Sequence, residues 1–216
     1  MRFYITVVMS LCSKLLPTLS EALRKGECGR IGVVGGSSLY TGAPYFAAIT
    51  SLKVDALFLL ASKLSLVKGY PKAILTPNFP EFTRLYQHAF GVDEIDSEKR
   101  HSGEAANMLA KHLGCTIFQK GATDIITDGK QLCFGKTVGS PRRCGGQGDL
   151  LNGALAVFSY WAEKKCEQSP TITAALAASE LIRSAAREAF HRCGRSMTAS
   201  DMIGEVATLI HSVEPK

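Results

Sequence analysis

The sequence has no Cys-x-x-Cys pair among its seven cysteines, no run of five or more like charges, no internal repeat, no low-complexity tract and a single tryptophan. Each absence removes a class of protein. The cysteines (Cys12, Cys28, Cys115, Cys133, Cys144, Cys166 and Cys193) are odd in number and widely spaced, which supports neither a disulfide framework nor a zinc site. Free thiols in a core-forming chain suit a reducing compartment. The 25 Lys and Arg outnumber the 19 Asp and Glu, giving a formal charge of +6, but they are scattered. The surplus therefore reads as a pull on phosphate-bearing small molecules, with no nucleic-acid partner. The apolar run Phe3 to Leu11 is broken by Thr6 and Ser10 and followed by Lys14, too short to span a bilayer, so no membrane association is expected. Two familiar phosphate loops are also missing. No Gly-rich stretch ends in Gly-Lys-Ser/Thr, and neither Gly32, Gly35 and Gly36 nor the glycines after Gly145 complete a G-x-G-x-x-G, because Leu151 stands where the last glycine would be.

What remains is an ordinary globular composition, 46% hydrophobic and 20% charged over 216 residues, enough for one sizeable core. The predicted elements alternate as in an α/β layer fold. Arg30 to Val34 reads as a short strand, and Thr41-Gly-Ala-Pro44 opens a helix to about Lys53. Ala73 to Thr76 is a strand stopped by Pro77. Helices follow over Pro80 to His88 and Gly103 to His112, the second closed by Gly114. Cys115 to Lys120 is a further strand, and Asp128-Gly129 signals a two-residue hairpin between 124–127 and 131–134. Apolar residues at 150, 151, 154, 155, 157, 158 and 161 have the spacing of a buried helix. Ser169-Pro170 is expected to cap a long helix ending near Cys193-Gly194. Thr198 with Asp201 begins the last one in the manner of a capping box.

The chemistry concentrates in Gly145-Gly-Gln-Gly-Asp149. Three glycines let the backbone approach a ligand closely, and the helix that follows presents unpaired N–H groups at the same point. Phosphate, or the charge developing during phosphoryl transfer, is the natural occupant of such an anion hole. A carboxylate at Asp149 would be held ionised by the helix field and able to take a proton from a substrate hydroxyl. By itself the pattern is equally that of an acidic helix start after a glycine turn. Cys144 within the loop reads as a small filler or a reactive thiol.

The whole string Ser140-Pro-Arg-Arg-Cys-Gly-Gly-Gln-Gly-Asp-Leu-Leu151 resembles the signature of the NAD(P)H-hydrate dehydratases, metabolite-repair enzymes of the ribokinase-like superfamily. Three more segments resemble that family in the same order. They are Gly29 to Gly36 with Tyr40 to Ala48, Leu75 to Leu85, and Lys120 to Asp124. The resemblance implies a three-layer α/β/α sandwich and an ATP-dependent hydro-lyase, which restores NADH or NADPH from the hydrated forms NADHX and NADPHX. It implies ATP contacts at Lys120, Gly121, Ala122, Thr123 and Asp124 and at Gly139, Ser140, Pro141, Arg142, Arg143, Cys144, Gly145, Gly146, Gln147 and Gly148. The hydrated cofactor would lie over Asn78, Phe79, Pro80, Glu81, Phe82, Thr83 and Arg84, with Asp149 as the base and Mg²⁺ bridging the phosphates; no protein metal ligand is assigned. Without the family, Asn78 reads as a turn residue, Lys120 equally as a solvated lysine, and Arg142 with Arg143 as phosphate contacts or a solvated loop pair.

The chain departs from the family between Lys53 and Lys72. Several strand and helix units, among them a Gly-Pro-Gly loop, are expected there, whereas only Val54 to Leu60 and a short tail are present, with Asp55-Ala56 as the stub of a later turn. Residues 26–216 are thus read as one domain, incomplete through an internal deletion near 54–57. Residues 1–25 form an amino-terminal extension whose acid-free first twenty residues resemble a mitochondrial transit segment, so mitochondrion and cytosol both stand. Losing central strands would cost more than the few kcal/mol of margin typical of a domain. A small-molecule kinase of the same superfamily, a truncated nucleotide binder without turnover, and a homo-oligomer are left open by the sequence.

Overall fold

A computed structural model describes residues 10–17, 63–165 and 168–214. The strand and helix expected over 30–53, Cys28, Cys166 and the Asp55-Ala56 stub lie outside the described residues. Two compact units emerge, one built from 1–54 together with 136–216 and the other from 55–135.

The contiguous unit holds a four-stranded mixed sheet in sequential order: β1 (Ile74–Leu75), β2 (Thr116–Gln119), β3 (Ile125–Thr127) and β4 (Leu132–Phe134). β1 and β2 run parallel with Leu75 opposite Ile117; β3 and β4 continue antiparallel, with Ile117 opposite Thr127 and Thr127 opposite Leu132. Its other elements are a helix over Phe79–Phe90, a short one over Ser97–His101 and a third over Glu104–Leu113. The first starts because Asn78 and Glu81 cap each other: Asn78 Oδ1 accepts from the Glu81 N–H at 3.0 Å and Glu81 Oε2 from the Asn78 N–H at 2.6 Å. It stops at Gly91, which takes a left-handed conformation. The third is bounded by Gly103 and Gly114, as expected from the sequence. Phe82, Leu85, Leu109 and Leu113 of these helices meet Leu75, Ile117 and Ile125 of the sheet in one core. Each large side chain removed from water there contributes about 1.5–3 kcal/mol.

The hairpin differs from expectation. Its connection is four residues, 128–131, because Asp128 Oδ1 accepts from the N–H groups of both Lys130 and Gln131, making the Asx turn rather than a tight two-residue one. Thr127 Oγ1 accepts from the Gly129 N–H and donates to Asn107 Oδ1, tying the hairpin to the third helix. The strand expected over 73–76 keeps only Ile74 and Leu75 in the ladder.

The discontinuous unit is helical. With the helices above numbered α2, α3 and α4 in chain order, its members are α1 (Ser10–Leu15), α5 (Gln147–Lys165), α6 (Pro170–Cys193) and α7 (Ala199–Val213). α6 packs an Ala-rich face, including Ala174, Ala178 and Ala185, against α5 and α7. Ser169 does not cap α6 through its hydroxyl; its backbone is left-handed (φ 48°) and its carbonyl accepts from both the N–H and the hydroxyl of Thr173. Cys12, Leu15 and Leu16 are buried, the Cys12 thiol donates to the Ala177 carbonyl at 3.3 Å, and Lys165 Nζ donates to the Leu16 carbonyl. This part of the segment read as an extension is core of the helical unit. No described helix is long and apolar enough to cross a membrane.

Candidate functional site

In the sheet unit, the parallel strands β1 and β2 both deliver their carboxyl ends to the same edge, where open α/β sheets place ligand-binding groups. Two of the sequence-predicted stretches meet there. The Lys120 N–H donates to the Pro77 carbonyl at 2.9 Å, and Lys120 Nζ stands 4.0 Å from Glu81 Oε2, both side chains about a quarter exposed. Gly121 turns the chain so tightly that a Cβ there would lie 2.8 Å from the Thr123 carbonyl oxygen. Asp124, buried, accepts from the Gly121 N–H at 3.1 Å, which closes the Lys120–Asp124 turn on itself. Ala122 and Thr123 are exposed on that turn.

Along Asn78 to Arg84 the helix divides the predicted residues. Asn78, Phe79, Pro80 and Arg84 are exposed, Glu81 and Thr83 half-buried. Phe82 is fully buried, packs toward Tyr86 and belongs to the core. Thr83 spends its hydroxyl on the Phe79 carbonyl one turn back. Asn78 and Glu81 hold the cap.

In the helical unit, Gly139 to Asp149 runs as one continuous stretch into the start of α5. α5 begins at Gln147, earlier than the apolar spacing from Leu150 suggested, so Gln147, Gly148 and Asp149 form its first turn. Gly146 has φ +91°, a conformation that favours glycine, and its carbonyl accepts from the N–H groups of Asp149 and Leu150, both at 3.0 Å. The N–H groups of Gly145 to Gly148 have no hydrogen-bond partner among the described residues, as expected at a helix start. Asp149 is 5% exposed at this terminus, its Oδ2 lying 3.9 Å from where a Cβ on Gly146 would be. Upstream, Ser140 Oγ accepts from the Arg142 N–H, Arg142 Nε donates to the Met197 carbonyl at 3.2 Å, and Gln147 Nε2 donates to the Arg142 carbonyl at 3.3 Å. Pro141, Arg142 and Arg143 are all exposed, and these bonds anchor Arg142. Gly139 lies beside Arg183, and Arg187 Nη1 donates to the neighbouring Val138 carbonyl. Burial pushes the Cys144 thiol up despite the nearby Arg142 charge, and so disfavours the thiolate. Among the described residues no group of three or more His, Cys, Asp or Glu is placed to hold a metal ion.

A family model described as NAD(P)H-hydrate dehydratase matches residues 52–208. The chain belongs to the NAD(P)H-hydrate dehydratase family. Among curated members, the ATP-dependent (S)-NAD(P)H-hydrate dehydratase of Danio rerio is 32% identical, over 92% of this chain and 86% of its own length. The Homo sapiens enzyme of that name is 34% identical over 92% and 82%, and that of Ixodes scapularis 32% over 97% and 96%. The alignment with the zebrafish member runs over 287 positions, more than the 216 residues of the whole chain, so a substantial part of that relative has no counterpart here. Among solved structures, a ribokinase-like superfamily protein of Enterococcus faecalis superposes with a TM-score of 0.58 at 16% identity, covering 84% of this chain and 61% of that one. A hypothetical Streptococcus mutans protein gives 0.53 at 21%, covering 74% and 54%. The fold is thus ribokinase-like α/β, and the chain spans between about half and three fifths of these solved chains.

The sequence missed Met197, just before α7, and Ala199, its first residue, which touch the stretch from Arg142 to Gly146. Their one visible signal is a small residue directly after the Thr198 helix start.

Proposed function

We propose that this family member dehydrates the S-form of hydrated NADH or NADPH at the expense of ATP, giving NAD(P)H, ADP and phosphate. The observation that carries the proposal is the pairing of Asp149 with the donor-rich start of α5: a buried carboxylate sits beside N–H groups that find no partner among the described residues. The ring hydroxyl of the substrate gives its proton to Asp149 as its oxygen attacks the γ-phosphorus, and the bond from that phosphorus to the ADP oxygen breaks. The amides of Gly145 to Gly148 face the negative charge spread over the transferring group. Phosphate then leaves with the ring's C–O bond, and loss of a ring proton restores the dihydronicotinamide.

The donor is taken as MgATP, since Mg²⁺ binds mainly through substrate phosphates, water and one or two carboxylates. Lys120 to Asp124 and Gly139 to Gly148 are assigned to ATP. Asn78, Glu81 and Arg84 are assigned to the hydrated nucleotide. The positions of the relatives without counterpart are assigned to the neighbourhood of residues 54–57, which is supported by a family match that begins only at residue 52. Residence in mitochondrion or cytosol rests on the acid-free amino-terminal composition and is tested by cell fractionation.

The deciding experiment incubates the protein with NADHX, ATP and Mg²⁺ and follows the return of reduced-nicotinamide absorbance. Wild type should restore it and Asp149→Asn should not. Accumulation of a stable phosphorylated product would instead identify a small-molecule kinase, and ATP binding without any product a nucleotide-binding protein that has lost turnover.

A further inference from the structure

One short stretch, Met197 to Asp201, makes the long-range contacts that fix the glycine loop. The Met197 carbonyl accepts from Arg142 Nε at 3.2 Å, and Arg142 is in turn joined through its own carbonyl to Gln147, the first residue of α5. Two residues on, Ala199 presses on Gly146. A Cβ added to that glycine would stand 2.8 Å from the Ala199 Cβ, closer than real Cβ contacts come, so the two backbones are packed as tightly as glycine and alanine allow. Met197 is fully buried and Ala199 8% exposed, so neither contact is a surface accident.

The stretch is itself held. Asp201 Oδ2 accepts from the Thr198 N–H at 2.8 Å and from its hydroxyl at 2.7 Å; Arg192 Nη2 donates to the Asp201 carbonyl, and the Met197 N–H donates to Gly194 at the end of α6. Gly146 is the residue whose carbonyl receives the Asp149 and Leu150 amides. A displacement at Ala199 therefore reaches the start of α5 and its donors through a single residue.

We propose that Met197–Asp201 is a positioning brace for the phosphate-binding loop, with Ala199 as the residue whose size sets how well the loop receives ATP. This rests on the function proposed above. A larger side chain at 199 pushes Gly146 and tilts the amides of Gly145 to Gly148 away from the anion. A smaller one releases the loop, which must then be ordered by the ligand at an entropic cost.

The test compares Ala199→Val, Ala199→Gly and Ala199→Ser by calorimetric MgATP binding, by steady-state kinetics and by melting temperature. Expected are a Kd and KM for ATP raised about tenfold in Ala199→Val, with KM for the hydrated nucleotide unchanged. Ala199→Ser, close to alanine in size, should stay within about twofold of wild type. Ala199→Gly, which removes the contact without adding volume, should weaken ATP binding and carries the test if the valine variant does not fold. Unchanged ATP affinity in folded Ala199→Val or Ala199→Gly overturns the brace, whatever happens to turnover. Equal loss for both substrates, tracking a fall in melting temperature, also overturns it. Wild type that binds MgATP without turnover, with binding weakened in the variants, keeps the brace and sinks the proposed reaction. Wild type that binds no MgATP sinks both.

Discussion

Gly129 is the most exacting place to challenge the sheet unit. It has φ +88°, and a Cβ there would lie 2.8 Å from Lys111 Cγ, 3.0 Å from the Lys111 nitrogen and 3.2 Å from its Cα. The Lys111 stem can swing aside, but the nitrogen and Cα belong to α4 and cannot. Gly129→Ala therefore meets two costs. The left-handed backbone costs an L-residue about 1–2 kcal/mol, and crowding against backbone adds about 1–3 kcal/mol. A loss of about 3 kcal/mol is expected, a large part of the roughly 5–15 kcal/mol that holds a typical domain. Gly91 is the internal control. Its φ is +65°, but nothing lies within 4 Å of the added Cβ, so Gly91→Ala meets only the backbone cost of about 1 kcal/mol. Urea titration followed by circular dichroism reads the difference. With a slope of about 2 kcal/mol per molar, the midpoint should fall by about 1.5 M in Gly129→Ala and about 0.5 M in Gly91→Ala. Equal shifts, or an unaltered midpoint in Gly129→Ala, would refute the packing of the hairpin on α4 and with it the fold of this unit.

Three further outcomes follow from the same geometry. Asn78→Ala should cost about 1 kcal/mol by removing the cap on α2, whereas Asn78→Asp keeps an acceptor there; weakened binding of the hydrated nucleotide in a stable Asn78→Asp would separate a ligand role from the cap. Hydrogen bonds from the Thr198 hydroxyl and N–H hold the Asp201 carboxyl below its ordinary range. Its contribution is therefore present above the ordinary carboxylate pKa and lost as pH falls through the lowered value; in Thr198→Ala the acid limb of a melting-temperature profile should flatten, and an unaltered limb would count against the contact. Burial pushes the Cys115 thiol up to about 11, and burial followed by the Glu180 charge drives Cys12 well above its ordinary range. Site-resolved mass spectrometry after mild alkylation should find Cys133, Cys144 and Cys193 labelled before Cys12 and Cys115, and early labelling of Cys12 would remove α1 from the core.

Local punctuation made much of the fold legible. Gly114 ends its helix because a left-handed residue lets the last carbonyls find partners, and Thr198 with Asp201 announces α7 in four residues. The glycine-rich string carried the family by itself. The burial of Phe82 was not legible, because a linear motif does not say which side of a helix each residue faces. The start of α5 was placed late because apolar spacing begins only at Leu150, while its first turn, Gln147 to Asp149, carries no apolar side chain. The brace escaped because Arg142 and Met197 are 55 residues apart and join through a backbone carbonyl, which leaves no trace in side-chain type. The division into two units was also hidden, since no linker composition marks either boundary.

The buried contact between Cys12 and Ala177 spans 165 residues of chain. By the time residue 135 has been made, the sheet unit, contiguous from 55 to 135, has its whole length of chain. The helical unit has not: α1 waits for α6, which is made near the end, and closing so long a loop is slow because its entropy is lost before its contacts form. In the interval Leu15 and Leu16 are exposed on a nascent chain. Premature termination within α6 would therefore leave α1 as well as the carboxy terminus without its packing partner.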